Sequence, residues 1–552
     1  MQKKQTILVV ASLLVVVLSV TLAYFTAQII GKGKNVTINS ADLKIIFTDS
    51  DGSINGTNIE PGKWNVTKTF TIENKSNETY KYNIVIQDLV NTFVTNGYLQ
   101  YKITSTNGGY NMTEFKDVPK SETATDTILA YSASIDVGVT QSYTVEFIYK
   151  NDESVDQSDD MGKKLSGKLF ITEGTEDIYA GYEKGTLGYQ IMGDNPTRNT
   201  RDTYDAVFTN NTTGTLFTAT EKNVHNTTDT TVYYYAGNTT NNWVKFGIFA
   251  SDGPIRGYDS ANSTSFKEYT TLEECNSASS YNTNCSYAWK KGDPMYWRII
   301  RTNADGSVRL LYSGTSYDIT EGYIGKSKFT KTIKDPMYVG YKYGTSGTLE
   351  SNRTNENDST IKTYIDTWYQ NNLIVYTKYL SNNAVYCNDR ELKSGEKYST
   401  TAFFYASYER IRTNKQPTYN CTNMKDAFSI NNTEAKLTYP IALMTADEVI
   451  YAGGQVSTKL TVPYAWYYTN ANGESITGSN LTWSLTPYYL GMVGVSVWGV
   501  HGSGTPGSLE QALVGNLAVV RPAISLKSCV KYSSGDGTAG NPYTIKETTS
   551  GC

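Results

Sequence analysis

The sequence predicts an apolar N-terminal helix, then an all-β sandwich, then a larger α+β domain. Three observations carry that prediction. Residues 6–30 form a run of 25 uncharged residues behind Lys3 and Lys4. From about residue 36 to 175 the apolar side chains recur with a period of two. Beyond residue 230 strand-like runs are interrupted by two helix patterns, and all six cysteines lie past residue 270.

The first run, TILVVASLLVVVLSVTLAYFTAQII, is long enough to cross a bilayer core of about 30 Å as a helix. It also exceeds the usual apolar core of a cleaved secretory signal. Lys3 and Lys4 precede it and Lys32 and Lys34 follow it, so the flanking charge is nearly balanced. The short tail before the run and the polar chain after it point to a cytoplasmic N-terminus and an exported bulk. Thr21 and Ala23 are small enough for a signal-peptidase site. Residues 1–30 are therefore expected as a signal peptide or as a retained membrane anchor.

Composition agrees with an exported chain. Charged residues make up 18%, below the roughly 25% of soluble domains, and Asn, Thr, Ser, Gly and 45 tyrosines fill the difference. A net charge of -4 provides no basic field, which argues against a nucleic-acid partner. Cys275 with Cys285, Cys387 with Cys421 and Cys529 with Cys552 are sequence-local pairs, and an even count in an exported chain predicts disulfides. That pairing rests on proximity alone. A zinc site would need C-x2-C spacing or nearby histidines, and neither is present. Triplets such as Asn65-Val66-Thr67 accept glycans only in a host that glycosylates.

In residues 36–175, Val66, Phe70 and Ile72 share one face of TKTFTIEN, and Tyr80, Tyr82, Ile84 and Ile86 share one face of YKYNIVIQ. Tyr143, Val145, Phe147 and Tyr149 repeat the pattern in SYTVEFIYK. Such alternation, punctuated by Pro-Gly, Asp-Gly and Gly-Gly, predicts an antiparallel sandwich with one wet face per sheet. Asp49, Asp51 and Asn55 alternate around Gly52 and form a candidate calcium loop. Pro61 and the β pattern deny it the flanking helices of an EF-hand, so a solvated hairpin turn is the stronger reading, and the acidic loop from Asp152 to Asp160 is read the same way. No other cofactor is expected.

The order of motifs here is AYF closing the apolar run, then ADLKI, then IEPGKWNVTKTFTIENKSNETYKYNI, then GKKLSGKLFITEG. It resembles the TasA/camelysin family of bacterial surface and biofilm-matrix proteins over about the first third of the chain. The resemblance implies a jelly-roll-like sandwich on a Gram-positive-type cell surface and a capacity to assemble into fibres. The metallopeptidase activity ascribed to some members has no support, since the first histidine is His225 and no HExxH occurs.

Residues 176–230, rich in Asn, Thr and Asp, read as a polar linker. In residues 231–552, YWRIIRTNADGSVRLLYSG predicts a hairpin reversing at Asn303-Ala304-Asp305-Gly306. Ser359 is placed to cap a helix carrying Ile361, Tyr364, Ile365 and Trp368 at helical spacing. Thr445 and Glu448 form a capping box, with Gly453-Gly454 as the stop. The strand-like tail runs from Leu481 to Leu526.

The succession WRIIRTNADGSVRLLYSG, IDTWYQNNL, TYPIALMTADEVIYAGG, WSLTPYY and VVRPAISL is similar to a domain of exported proteins of gut Firmicutes and Tenericutes. That domain is itself similar to C-type-lectin-like and formylglycine-generating-enzyme folds. Trp483 and Arg521-Pro522 are its most specific points, read as core and turn positions, with Arg521 expected to meet a buried acid. The copper-holding cysteine pair of formylglycine-generating enzymes has no recognisable counterpart, so that activity is not implied.

Catalytic material is scarce. His225 and His501 are the only histidines, and no nucleophile elbow, P-loop or dinucleotide fingerprint stands in a usable context. Tyr464, Trp466, Tyr467, Tyr488, Tyr489 and Trp498 are candidate sugar platforms, because aromatic faces stack on pyranose rings. The expected function is non-catalytic adhesion or recognition of a glycan or protein ligand at the cell surface. A self-assembling matrix fibre is the alternative, and a carboxylate-using glycan enzyme stands third.

Overall fold

The computed structural model describes residues 35–40, 43–49, 53–56 and 59–552, apart from 96, 175–177, 180, 212 and 262–264. The apolar run at residues 6–30 lies outside the described residues. Among the described residues no helix is long and apolar enough to cross a membrane. Contacts divide the chain into two units, Met1–Asp177 and Ile178–Cys552.

In the first unit the period-two runs become strands. These are β1 (Asn35–Ser40), β2 (Leu43–Asp49), β3 (Ser53–Gly56), β4 (Asn65–Asn74), β5 (Tyr80–Asn91), β6 (Leu99–Ser105), β7 (Lys116–Asp117), β8 (Ser121–Ile135), β9 (Thr140–Tyr149) and β10 (Leu165–Glu173). They form two antiparallel sheets, ordered β1-β2-β4-β9-β6-β7 and β3-β10-β5-β8. Phe70 and Ile72 of β4 and Tyr143, Val145, Phe147 and Tyr149 of β9 are buried, and the residues between them are not. Both sheets contribute to one apolar cluster, which makes this unit an all-β sandwich. β5 departs from the expected single wet face: Tyr82 through Ile86 are buried on both sides.

Two turn readings need correction. β2 and β3 belong to different sheets, so these two strands are not the arms of a hairpin. Asp51 itself lies outside the described residues, and so does the calcium loop as a site. The acidic loop is not wholly solvated either. Asp160 is buried, accepts from the Val94 and Thr95 amides at 2.6 and 3.2 Å, and receives the Tyr149 hydroxyl at 2.7 Å. A buried carboxylate persists only when its oxygens are bonded in this way.

The second unit begins earlier than a linker would allow. β11 (Ile178–Tyr179) and β12 (Tyr182–Glu183) pair, and the helix Leu187–Asp194 buries Leu187, Ile191 and Met192. β13 (Thr197–Thr200), β14 (Thr215–Asn223) and β15 (Asn226–Tyr234) then open the largest sheet of this unit. Their threonines suit half-exposed pleated positions, while Val232 and Tyr234 supply the buried face. Polar composition disguised a strand pair as a linker.

The strands that follow are β16 (Trp243–Ile248), β17 (Ile255–Tyr258), β18 (Phe266–Tyr269), β19 (Thr283–Tyr287), β20 (Pro294–Thr302) and β21 (Val308–Tyr312). β20 and β21 form the expected hairpin, with Trp297 opposite Tyr312 and Ile299 opposite Leu310, and Gly306 takes φ +76 in the turn. β21 is joined by Pro522–Leu526, and that strand by Ile441–Leu443. A second sheet is built on Thr482–Gly491, Gly494–Val500 and Leu509–Leu513. β17, β18 and β19 form a separate three-stranded lobe. The helices Thr360–Asn372 and Ala446–Tyr451 carry the Ser359 cap and the Thr445–Glu448 capping box.

All three sequence-local cysteine pairs are bonded, which fits an oxidising environment. Arg521 does not meet an acid. Its Nε donates to the Tyr312 carbonyl at 3.1 Å, Nη2 to Ser313 Oγ at 3.2 Å and Nη1 to the Tyr467 carbonyl. Neutral carbonyls leave the charge uncompensated, and burial pushes this guanidinium down to about 9.

Candidate functional site

The aromatic residues expected as sugar platforms pack inside the second unit. Trp466, Tyr467 and Trp498 are 1%, 2% and 0% exposed. Trp466 Nε1 donates to the Tyr235 carbonyl at 2.9 Å and Trp498 Nε1 to Ser407 Oγ at 3.0 Å. Tyr488 packs edge-on against Trp498, and Tyr489 stacks on Phe404 with centroids 4.4 Å apart. Tyr464 sits edge-on to Tyr468. Trp466, Trp498 and Tyr467 satisfy their polar tips within the protein and Tyr488 is buried, so these four are core, while Tyr464 and Tyr489 are half-buried against it. His225 is exposed and its Nε2 lies 2.7 Å from Ser429 Oγ, while His501 is a half-buried loop residue whose amide donates to the Ser508 carbonyl. Among the described residues no group of three His, Cys, Asp or Glu side chains is arranged to hold a metal.

A different region has the shape and chemistry of a site. A cleft of about 890 Å³ opens in the second unit, within the size range of ligand pockets. The helix Thr360–Asn372 forms one wall. Its 3.6-residue period separates two stripes. Ile361, Ile365 and Tyr369 enter the core, while Thr360, Thr363, Tyr364, Thr367, Trp368 and Asn371 line the cleft. The turn Ser251–Pro254 and Trp289 provide another wall, and residues 330–332 a third.

Trp289 stacks on Phe249 with centroids 4.6 Å apart and planes 17° apart. Trp368 meets Phe249 and Tyr312 edge-on at 6.3 and 5.6 Å. Gly253 lies against the Trp289 ring so closely that a Cβ there would fall 2.6 Å from it. Gly325 similarly leaves room between the Tyr364 hydroxyl and the Glu268 carboxylate, where a Cβ would collide with both.

Three buried polar atoms of this lining have no hydrogen-bond partner among the described residues: Trp289 Nε1, Trp368 Nε1 and Asn372 Oδ1. Their residues are 7%, 6% and 4% exposed. An unsatisfied buried donor or acceptor costs about 1–3 kcal/mol, and a folded protein carries few of them. All three atoms are buried behind the lining rather than open to the cleft, and other unpartnered atoms such as Tyr398 Oη and His501 Nε2 lie elsewhere in the unit.

The electrostatics are acidic but restrained. Asp252 pairs with Lys290 at 3.7 Å, Asp358 with Lys342 and Lys362 at 3.1 and 3.2 Å, and Glu268 with Arg256 at 3.3 Å. Burial pushes the Glu268 carboxyl up, against the pull of Arg256 and Lys326. Burial also lowers Lys326 to about 8, against the pull of Glu268. Lys331 is the one ammonium in the lining, against three carboxylates. Each acid is therefore occupied by a cation, which suits it to hydrogen bonding more than to nucleophilic attack.

Sequence reasoning saw Tyr364 and Trp368 only as apolar points of a helix. The neighbouring stripe of threonines and Asn371 at the same period was the available signal. Trp289, held on Phe249 across a long sequence gap, had none. No family model, curated protein or solved structure matches this chain.

Proposed function

We propose that this chain is an exported bacterial surface protein whose second unit binds a neutral or N-acetylated glycan in the Trp289–Trp368 cleft, without catalysis. The observation that carries the reading is the cleft of about 890 Å³ lined by Trp289, Trp368, Tyr364 and a stripe of threonines. A sugar ring offers an apolar face to aromatic side chains and hydroxyl or amide groups that both donate and accept. The threonine stripe adds further hydroxyls, and the excess of carboxylates disfavours an acidic ligand. The resemblance to the TasA/camelysin family and the apolar run at residues 6–30, taken as signal or anchor, support the surface location, and the resemblance to C-type-lectin-like folds supports ligand recognition by the second unit.

Isothermal titration calorimetry of the full chain with N-acetylglucosamine and glucose oligomers tests it. Binding by the native chain and its loss in Thr367→Trp, a plug on an exposed helix position, is the expected result. Absence of binding to both series refutes the glycan reading and returns attention to a protein ligand. Hydrolysis of either series that is lost in Glu268→Gln replaces it with an enzyme.

A second reading, a matrix fibre, is favoured by one feature of the first unit. β8, fifteen residues long, stands at the end of its sheet, where strand addition has a ready template. Salt- or pH-triggered filaments in negative stain would support it.

A further inference from the structure

A second cleft, of about 700 Å³, adjoins the first in the same unit. Tyr287, Lys290, Asp293 and Glu321 line it, and so does Trp289, which also lines the first cleft. Trp289 is thus common to the two linings. Two further links join them. At the surface, Asp252 of the first cleft pairs with Lys290 of the second at 3.7 Å, with side chains 44% and 54% exposed. Beneath, the buried Arg256 guanidinium donates to Glu268 of the first cleft at 3.3 Å and to Glu321 of the second at 2.9 Å.

We propose that the two clefts form one extended track for a linear oligosaccharide of uncharged units, passing Trp289. This rests on the glycan reading above and adds to it the length and charge of the ligand. The exposed Asp252–Lys290 pair is held weakly in water and yields to a passing chain, whereas Arg256 keeps both carboxylates in place. Together the linings carry five carboxylates against two ammoniums, which repels polyuronates and other polyanions. The second cleft adds contacts to a chain already immobilised in the first, so each added unit escapes most of the entropic cost of association.

The test is calorimetry on the full chain with N-acetylglucosamine and glucose oligomers of increasing length, from dimer to hexamer, and with galacturonate oligomers as the anionic probe. The expected result is a Kd that tightens at least tenfold along one neutral series, with no binding of galacturonate. Thr320→Trp, a plug at an exposed position of the second cleft, is expected to leave the dimer unchanged and to remove the gain with length. A dimer that binds as tightly as the hexamer, or a hexamer indifferent to Thr320→Trp, overturns the extended track and leaves single-cleft recognition standing. Galacturonate binding more tightly than the neutral series overturns the charge assignment. Failure of every neutral oligomer to bind overturns the underlying glycan reading itself.

Discussion

Arg301 meets Glu448 in the interior of the second unit, Nε to Oε1 at 3.1 Å, with side chains 3% and 1% exposed. The contact belongs to a chain of charges. Arg301 Nη1 reaches Glu221 at 2.6 Å, and Arg309 Nη1 reaches the same Glu448 oxygen at 2.8 Å. The remaining oxygens are occupied too: Glu448 Oε2 accepts the Thr445 amide and Glu221 Oε1 the Asn223 side chain. Arg301→Met is expected to cost about 3–5 kcal/mol, because it strands Glu221 as an uncompensated buried charge. Denaturant unfolding followed by tryptophan fluorescence reads this directly, since seven of the eight tryptophans lie in the second unit. Lys63→Ala, which removes an exposed pair with Glu60, is expected to leave the midpoint unchanged. Equal effects from the two variants would refute the assignment.

The same cluster sets an acid limit. Burial opposes the charged form of Glu448, but Arg309, Arg301 and the Thr445 amide overcome it and hold the carboxyl below its ordinary range. Its folded pKa thus lies below the unfolded value of about 4.3. The unfolded chain binds the proton first, so the stabilisation is present above that value and is lost as pH falls through the folded one. Unfolding midpoints are expected to drop steeply below about pH 4. Glu448→Gln is expected to lower stability at neutral pH yet flatten that acid slope. An unchanged slope would assign the acid limit to other carboxylates.

Much of the fold was legible because local and tertiary demands agreed. Tyr143 to Tyr149 alternate in sequence and in burial, and the Ser359 and Thr445 caps begin the helices they announce. The linker reading failed because a strand of threonines looks like a coil until Val232 and Tyr234 find their core. The platform reading failed for the opposite reason. Tyr464 to Trp498 are rich in rings, and in a tyrosine-rich chain most rings are needed for packing. The cleft was largely illegible, since Phe249, Trp289 and Trp368 converge only through tertiary structure and an unpartnered indole N–H leaves no trace in sequence.

The disulfides are expected to differ in what they stabilise. Cys387–Cys421 closes a separation of 34 residues and Cys275–Cys285 one of 10. Loop-closure entropy assigns them about 3–4 and about 2–3 kcal/mol respectively. The shorter one serves the lobe of β17, β18 and β19 that carries Arg256 and Glu268. Gly257 lies directly against Cys275 Sγ and the Tyr281 carbonyl, with no space for a Cβ. Replacing Cys387 and Cys421 by serine is therefore expected to lower the unfolding midpoint more. Replacing Cys275 and Cys285 is expected to weaken oligosaccharide binding more. The reverse ranking in calorimetry would detach the lobe from the site.

Trp368 and Trp297 separate a binding indole from a structural one. Trp297 Nε1 donates to the Phe246 carbonyl at 2.8 Å, so Trp297→Phe orphans a buried acceptor and is expected to destabilise the second unit by about 1–3 kcal/mol beyond the lost ring volume. Trp368→Phe keeps the edge contacts to Phe249 and Tyr312 while removing a donor that has no partner among the described residues. Its stability cost is correspondingly smaller, because the loss of packing is offset by the loss of an unsatisfied N–H. If that N–H turns toward the cleft and bonds a sugar oxygen, the variant loses about 1.4 kcal/mol of affinity, roughly tenfold in Kd. Paired unfolding and calorimetric titrations of the two variants read the difference. A Trp368→Phe protein that binds like the native chain would sink the role given to this indole, however stable it proved.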